Sequence, residues 1–459
     1  MASPFAATSI PSSRLTLADA LSSARETREL VIGPAVLREA SRVFRKHFPE
    51  SRAVIIADDR TFAAAGRAVG EILSAAGIPC VRPFVYSDPA LYAEHGFVEQ
   101  LEASLHLHDA IPVAVGSGTI NDLAKLAGHR TGRPGYLCVP TAASMDGYTA
   151  YGSSITFQGA KQTFNCPAPR AVVADLEIIR HAPPELTASG YADLSAKITA
   201  GADWILADAL GAEPIDLRAW AIVQSGLRGS LADPAGARAG AASAIGPLVE
   251  GLMLGGFAMQ WSRTSRPASG AEHQFSHLWD MEHHVHNGAA PSHGFKVGVA
   301  TLAVTRLYEQ LLVHDFTTLD LDRCVANWPD AAAAMTQARR IFAGANFITT
   351  AVAETGAKHV SAAELRVQLE KLKTTWPEIR RRLQAQLLSS DEMQRRLSLV
   401  GAPTEPEQIG ITRARLRESF LRAYHIRRRF TVLDVAVRTG LLDRLLEGVF
   451  GRGAGLEIR

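Results

Sequence analysis

Cysteine is scarce: Cys80, Cys138, Cys166 and Cys324 lie far apart in 459 residues, with no Cys-x-x-Cys pair among them. That spacing excludes a disulfide framework and a zinc knuckle, and it reads as the reduced thiols of a cytoplasmic protein. Net charge is small, +2 at pH 7. No global field therefore points to nucleic acid or a membrane surface, although a local cation cluster suffices for a phosphorylated small molecule. Long apolar runs are missing too. Ala241–Met259 comes nearest, but Glu250 and several glycines interrupt it and Arg263 and Arg266 follow, which fits a buried helix and not a membrane span. The N-terminal stretch has no charged segment followed by a continuous apolar one, so residues 1–27 are expected to be a flexible tail, not a signal peptide.

What the chain has in abundance is histidine in one place. Six of its fifteen histidines, His273, His277, His283, His284, His286 and His293, fall in one short stretch. Imidazole is the commonest metal ligand and the side chain best suited to proton transfer near neutrality. A His-rich polar loop is the alternative, and crowding alone does not separate the two.

The 47% hydrophobic and 20% charged composition is that of a globular protein with room for two or three domains. Up to about residue 182, short β-branched runs alternate with helix-length segments. Strands are expected at Arg52–Ala57, Cys80–Tyr86, Ile111–Val115 and Tyr136–Val139, with helices at Thr61–Ala76, Gly96–His108 and Ile120–Gly128. This alternation predicts an α/β domain over 28–182 with a parallel, Rossmann-like sheet covered on both faces. Residues 183–459 read as a second, all-helical domain, and its basic run Arg427–Arg429 as a solvated face or helix end.

Val113–Lys125 (VAVGSGTINDLAK) is an apolar strand entering a glycine turn and then a helix. Gly116, Ser117 and Gly118 permit a tight turn that points free N–H groups at a phosphate. The stretch is not Gly-x-Gly-x-x-Gly, so an ordinary strand–helix turn stays open as a reading. At the end of the next strand, Thr141 and Ser144 can reach a cofactor and Asp146 a substrate hydroxyl, although an Asx-type turn explains the same residues. Asp58, at the end of an earlier strand, can bind the adenosine ribose and disfavour a 2′-phosphate. Asp193 and Lys197 share one helix face, as do His273 and His277. One carboxylate and two imidazoles from separate helices make a reasonable divalent-metal site with open positions.

The segments GSGTINDLAK, PTAASMDGY, ADLSAK, SRPASGAEHQFSH and SHGFKVG, in this order over residues 28–310, resemble the bacterial branch of the sn-glycerol-1-phosphate dehydrogenases. These belong with glycerol dehydrogenases, iron-type alcohol dehydrogenases and dehydroquinate synthases. The resemblance implies Asp193, His273 and His293 as ligands of one zinc or nickel ion. It implies Asp146, Asp193 and His277 at the substrate, and Asp58, Gly118, Thr119, Ile120, Asn121, Asp122, Thr141, Ala142, Ala143 and Ser144 at NAD or NADP. Lys197 stands where iron-type relatives have a fourth ligand histidine, which suggests a three-ligand site and a cation for a substrate phosphate, with Arg266 as a second. Ala150 replaces an expected serine, leaving only a backbone contact with the cofactor. His283, His284 and His286 match no ligand position and are assigned to a surface loop.

The implied activity is metal-dependent, NAD(P)-linked interconversion of dihydroxyacetone phosphate and sn-glycerol 1-phosphate, with Asp146, His277 and Lys197 as its catalytic side chains. A homo-oligomer is implied, without nucleic-acid or membrane partners. A lyase resembling dehydroquinate synthase, using NAD transiently, is the alternative, and would release phosphate with no net NADH change. A sensor that binds nucleotide and metal without turnover is a third reading, against which an intact Asp193, His273 and His293 argues.

Overall fold

The computed structural model describes residues 14–158 and 160–451. Its strands are β1 (Glu29–Gly33), β2 (Ala53–Asp58), β3 (Phe84–Tyr86), β4 (Ile111–Gly116), β5 (Leu137–Pro140), β6 (Ser153–Phe157), β7 (Ala160–Phe164) and β8 (Ala171–Asp175). Six of them form a parallel sheet in the order β1-β8-β5-β4-β2-β3, and β6 pairs with β7 as an antiparallel hairpin. Side chains alternate between the two faces. Val54, Ile56 and Ala114 join one core cluster, while Ala53, Ile55, Ala57, Val113 and Val115 join another on the opposite side. Burial on both faces is why β2, β4 and β8 read as continuous apolar runs.

The α/β and helical expectations hold in this architecture. Beyond Pro184 every regular element among the described residues is a helix. The expected strand over 80–86 shrinks to Phe84–Tyr86, because Pro83 has no N–H for a ladder and Cys80 makes only an isolated bridge to Ala53. The helix expected over 61–76 is broken by a π-turn at Phe62–Gly66. Strands β1 and β8 and the hairpin were not foreseen.

Residues 14–27 are not a tail. Leu17–Ser22 is a helix closed by a Thr16–Asp19 capping box, the Leu15 N–H donates to Ser225 Oγ at 3.0 Å, and the Thr27 N–H donates to Gln260 Oε1 at 3.2 Å. The rest of the expected tail, 1–13, lies outside the described residues. The Ala242–Ser262 helix is long and apolar enough to cross a bilayer, yet it packs in the core against the Leu217–Gln224 helix and the Gly147–Thr149 turn. At the centre lies the Pro184–Ala209 helix, buried around its whole circumference and flanked by the helices Ala271–Met281, His293–Val313 and Ala362–Gln386. Such all-round burial brings its charged residues, Asp193, Lys197 and Asp203, inside the protein.

Candidate functional site

Strand order reverses between β2 and β4, and the crevice beyond their carboxyl ends is where open α/β sheets take ligands. From β4 the chain passes through Ser117, extended and without a side-chain cap, into the Gly118–Arg130 helix. The first N–H groups of that helix therefore face the crevice without a capping partner. Gly116 is sterically required, since a Cβ there would lie 2.6 Å from Ile120 Cβ, and one on Gly118 would lie 2.7 Å from the Met145 side chain, which would have to shift. Across the crevice Asp58 caps the following turn, its Oδ1 accepting from the N–H groups of Arg60 and Thr61 at 2.9 Å each and leaving Oδ2 free of these bonds.

A second group of side chains converges from three helices. Asp193 and Lys197 come from Pro184–Ala209, His273 and His277 from Ala271–Met281, and His293 opens the His293–Val313 helix. Ligand atoms of Asp193, His273 and His293 all lie within 4.8 Å of one another, with His273 Nε2 3.5 Å from Asp193 Oδ1. The backbones approach so closely that a Cβ on Gly294 would collide with the Ser189 carbonyl, and one on Gly190 with that of Ala143.

The donor set fits a divalent cation. Burial holds His293 neutral, its pKa lowered to about 3. His273 Nδ1 meets Glu272 Oε1 at 2.8 Å, which directs Nε2 toward Asp193. Burial would keep His273 neutral, yet the Asp193 and Glu272 carboxylates raise its pKa, so the cluster favours a positive charge at His273. Burial likewise opposes ionisation of Asp193, but Lys197 and the two imidazoles hold its carboxyl far below the usual range. An O,N,N set with an ionised carboxylate suits zinc-like ions.

A profile of the iron-containing alcohol dehydrogenase family matches residues 31–183. A glycerol-1-phosphate dehydrogenase [NAD(P)+] of Halalkalibacterium halodurans is 36% identical over 258 residues, 56% of this chain and 64% of that protein, just under two thirds of its length. One of the same name from Bacillus velezensis is 32% identical over 292 residues, 63% of this chain and 74% of the relative. The chain belongs to the glycerol-1-phosphate dehydrogenase family. In fold, this family member also resembles the crystal structure of a probable glycerol dehydrogenase from Sinorhizobium meliloti, with a TM-score of 0.58 and 17% identity over 92% of this chain and 97% of that one.

Several expected contacts of this glycerol-1-phosphate dehydrogenase family member are spent inside the protein. Lys197 donates to the Asp193 carbonyl at 2.9 Å and to Asp193 Oδ1 at 2.6 Å, and sits 2.8 Å from Asp146 Oδ2. Its side chain is wholly buried, and its ammonium is turned to these carboxylates and away from the open crevice. Nor does Arg266: it is 1% exposed, donates to the carbonyls of Phe430 and Asp203, and pairs with Glu213. Asp193 is also fully buried, beside His273 and His293.

In the crevice, Ile120, Ala142 and Ala143 are core residues. The Asn121 N–H closes the helix onto Ser117, and its side chain bonds Tyr136 and the Gly147 carbonyl. Asp122 leans toward Lys125, 3.5 Å away. The Ala150 N–H donates to Gly147 and its carbonyl accepts from Lys125, so the expected backbone contact has no free donor. Ser144 Oγ lies 3.1 Å from the Tyr148 hydroxyl, which itself donates to the Ala142 carbonyl. Gly118, Thr119 and Thr141 are left as the residues best placed at the crevice wall.

His277 is 8% exposed with no partner for Nδ1, and burial, then Arg427, hold it well below the ordinary imidazole range. Of the EHHVH histidines, His283 is exposed, but His284 is buried between the Ile409 carbonyl at 2.6 Å and the Arg415 guanidinium at 2.8 Å. It is a core tie and not part of a surface loop.

Two residues escaped sequence reasoning. Lys125 donates to the carbonyls of Gly147, Ala150 and Gly152, tying the loop after Asp146 to the cofactor helix. Glu272 accepts from Thr199 Oγ1 and the Gly270 N–H besides its contact with His273. A lysine or glutamate directly beside small or apolar helix residues was the only signal available.

Proposed function

We propose that this chain interconverts dihydroxyacetone phosphate and sn-glycerol 1-phosphate with NAD(P), acting in the cytoplasm as a homo-oligomer. The observation that carries the reading is the convergence of Asp193, His273 and His293 beside the carboxyl ends of a sheet that offers a glycine-turn helix terminus. Held by those three residues, zinc or nickel would supply Lewis acidity at the substrate C2 oxygen, and NAD(P) on the β4 helix terminus would accept or deliver the C2 hydride.

The protein's own groups supply orientation and proton control. Asp146, its carboxyl set by Lys197 and its N–H donating to Asp193 Oδ2 at 3.1 Å, is placed to hold a substrate hydroxyl. His277, with Nδ1 unpartnered, is the imidazole placed to pass the C2 hydroxyl proton. Burial of Asp146, Asp193, Lys197, His273 and His277 limits the access of bulk water to this exchange. The lyase alternative draws no support from the names of the relatives.

NADH oxidation by dihydroxyacetone phosphate tests the reading, before chelation, after it, and after return of zinc or nickel. Activity lost on chelation and restored by metal is expected. A folded protein without metal-restorable activity, or one releasing inorganic phosphate without net NADH oxidation, overturns it.

A further inference from the structure

A phosphate monoester needs fixed cations, but Lys197 is buried against two carboxylates and Arg266, 1% exposed, is turned to two backbone carbonyls and Glu213. Most other cations near the histidines are engaged as well. Lys296 pairs with Asp280, Arg428 with Glu354, and Arg429 with the carbonyl and hydroxyl of Ser269. Two are not. Arg427 and Lys161 are each partly exposed, and neither side chain makes a hydrogen bond or ion pair among the described residues.

Both flank the helix that carries His277. Lys161 lies on β7, which packs against Ala271–Met281. Arg427 lies in the stretch after the Arg413–His425 helix. Gln274 reaches the Arg429 carbonyl from that same Ala271–Met281 helix at 3.4 Å, and Arg266 anchors the Phe430 carbonyl at 2.9 Å. Both charges act on His277, Arg427 most strongly of all its charged neighbours. Their nearest counter-charges, Asp280 and Asp122 for Lys161 and Glu354 for Arg427, form no ion pair with them, so both cations keep donors for an anion.

We propose that Arg427 and Lys161 form the phosphate-recognition end of the substrate pocket, gripping a phosphate monoester whose reacting carbon lies toward His277 and Asp146. The proposal rests on the functional reading above for the identity of the substrate. Arg427 lies outside residues 28–310, where the family motifs fall, and the basic run around it splits into three roles: Arg428 exposed, Arg429 structural, Arg427 free.

The test compares the holoenzyme with Arg427→Gln, Lys161→Gln and the charge-keeping Arg427→Lys. The first readout is the ratio of kcat/KM for dihydroxyacetone phosphate over dihydroxyacetone. Each glutamine variant should lower it by about 10- to 100-fold, the scale of one lost charged hydrogen bond, with Arg427→Lys recovering most of the loss. The second readout is the rise in melting temperature on titration with inorganic phosphate, which should shrink in both glutamine variants. Glutamine variants that keep the ratio and the phosphate response, or that lose both substrates equally, overturn the proposal. If the wild type reduces neither substrate but phosphate still stabilises it through Arg427 and Lys161, the functional reading fails and the phosphate site stands.

Discussion

The crevice between β2 and β4 is built of backbone and small side chains, whereas the centre around Asp193 is built of buried charge. In the crevice, Gly116 and Gly118 let a helix terminus and a neighbouring strand approach a ligand, and Asp58 sits at the rim. At the centre, Asp146, Asp193, Lys197, His273, Glu272 and Asp203 are packed together with little or no exposure. Damage to the first should act through shape and local dipoles. Damage to the second should act through an uncompensated charge, which is far more expensive in a dry interior.

Lys197→Met tests that contrast most severely. Burial alone would discharge Lys197, but the Asp146 and Asp193 carboxylates keep it protonated. Removing it leaves two buried carboxylates facing each other, and should lower the stability of the metal-free protein by about 3–5 kcal/mol. Denaturant midpoints measure this, and the loss should be smaller with metal bound, because a cation then compensates the same carboxylates. A midpoint that does not move would mean that Lys197 is not their counter-charge.

How much of this could be read from sequence follows the same division. The glycine turn was legible because backbone geometry dictates its residue types, and the sheet because two-sided burial leaves continuous apolar strands. Asp193, His273 and His293 were legible as a candidate ligand set through their motifs, and the fold brings them together. The i,i+4 spacing placed Lys197 on the face of Asp193, but spacing does not say where Nζ points, and it points back at two carboxylates instead of out at a phosphate. Lys125 and Glu272 were silent because their partners, three loop carbonyls and one imidazole edge, exist only after the chain has folded. The same applies to Arg427, which no local pattern separates from Arg428 and Arg429.

Glu272 gives a smaller effect at the same centre. It makes no contact with the metal position itself; it fixes His273 by accepting at Nδ1, as outer-shell carboxylates commonly do for ligand histidines. Glu272→Gln preserves volume but removes the charge, and should weaken metal binding by about 10- to 100-fold. Competition with a chromophoric chelator reads this directly, independent of turnover. Unchanged affinity would reduce Glu272 to a packing residue.

The smallest effect is expected at the crevice rim. Asp58 does two jobs: Oδ1 caps the turn after β2, while Oδ2 is free of those capping bonds beside the cofactor position. Asp58→Asn separates them, because asparagine caps as well as aspartate but carries no charge. Stability should hardly change, while the kcat/KM ratio of NADPH to NADH should rise about five- to tenfold as repulsion of a 2′-phosphate is relieved. A fall in melting temperature without a change in the ratio would assign Asp58 to the turn alone, and the crevice would then select its cofactor by backbone shape, with no charge involved.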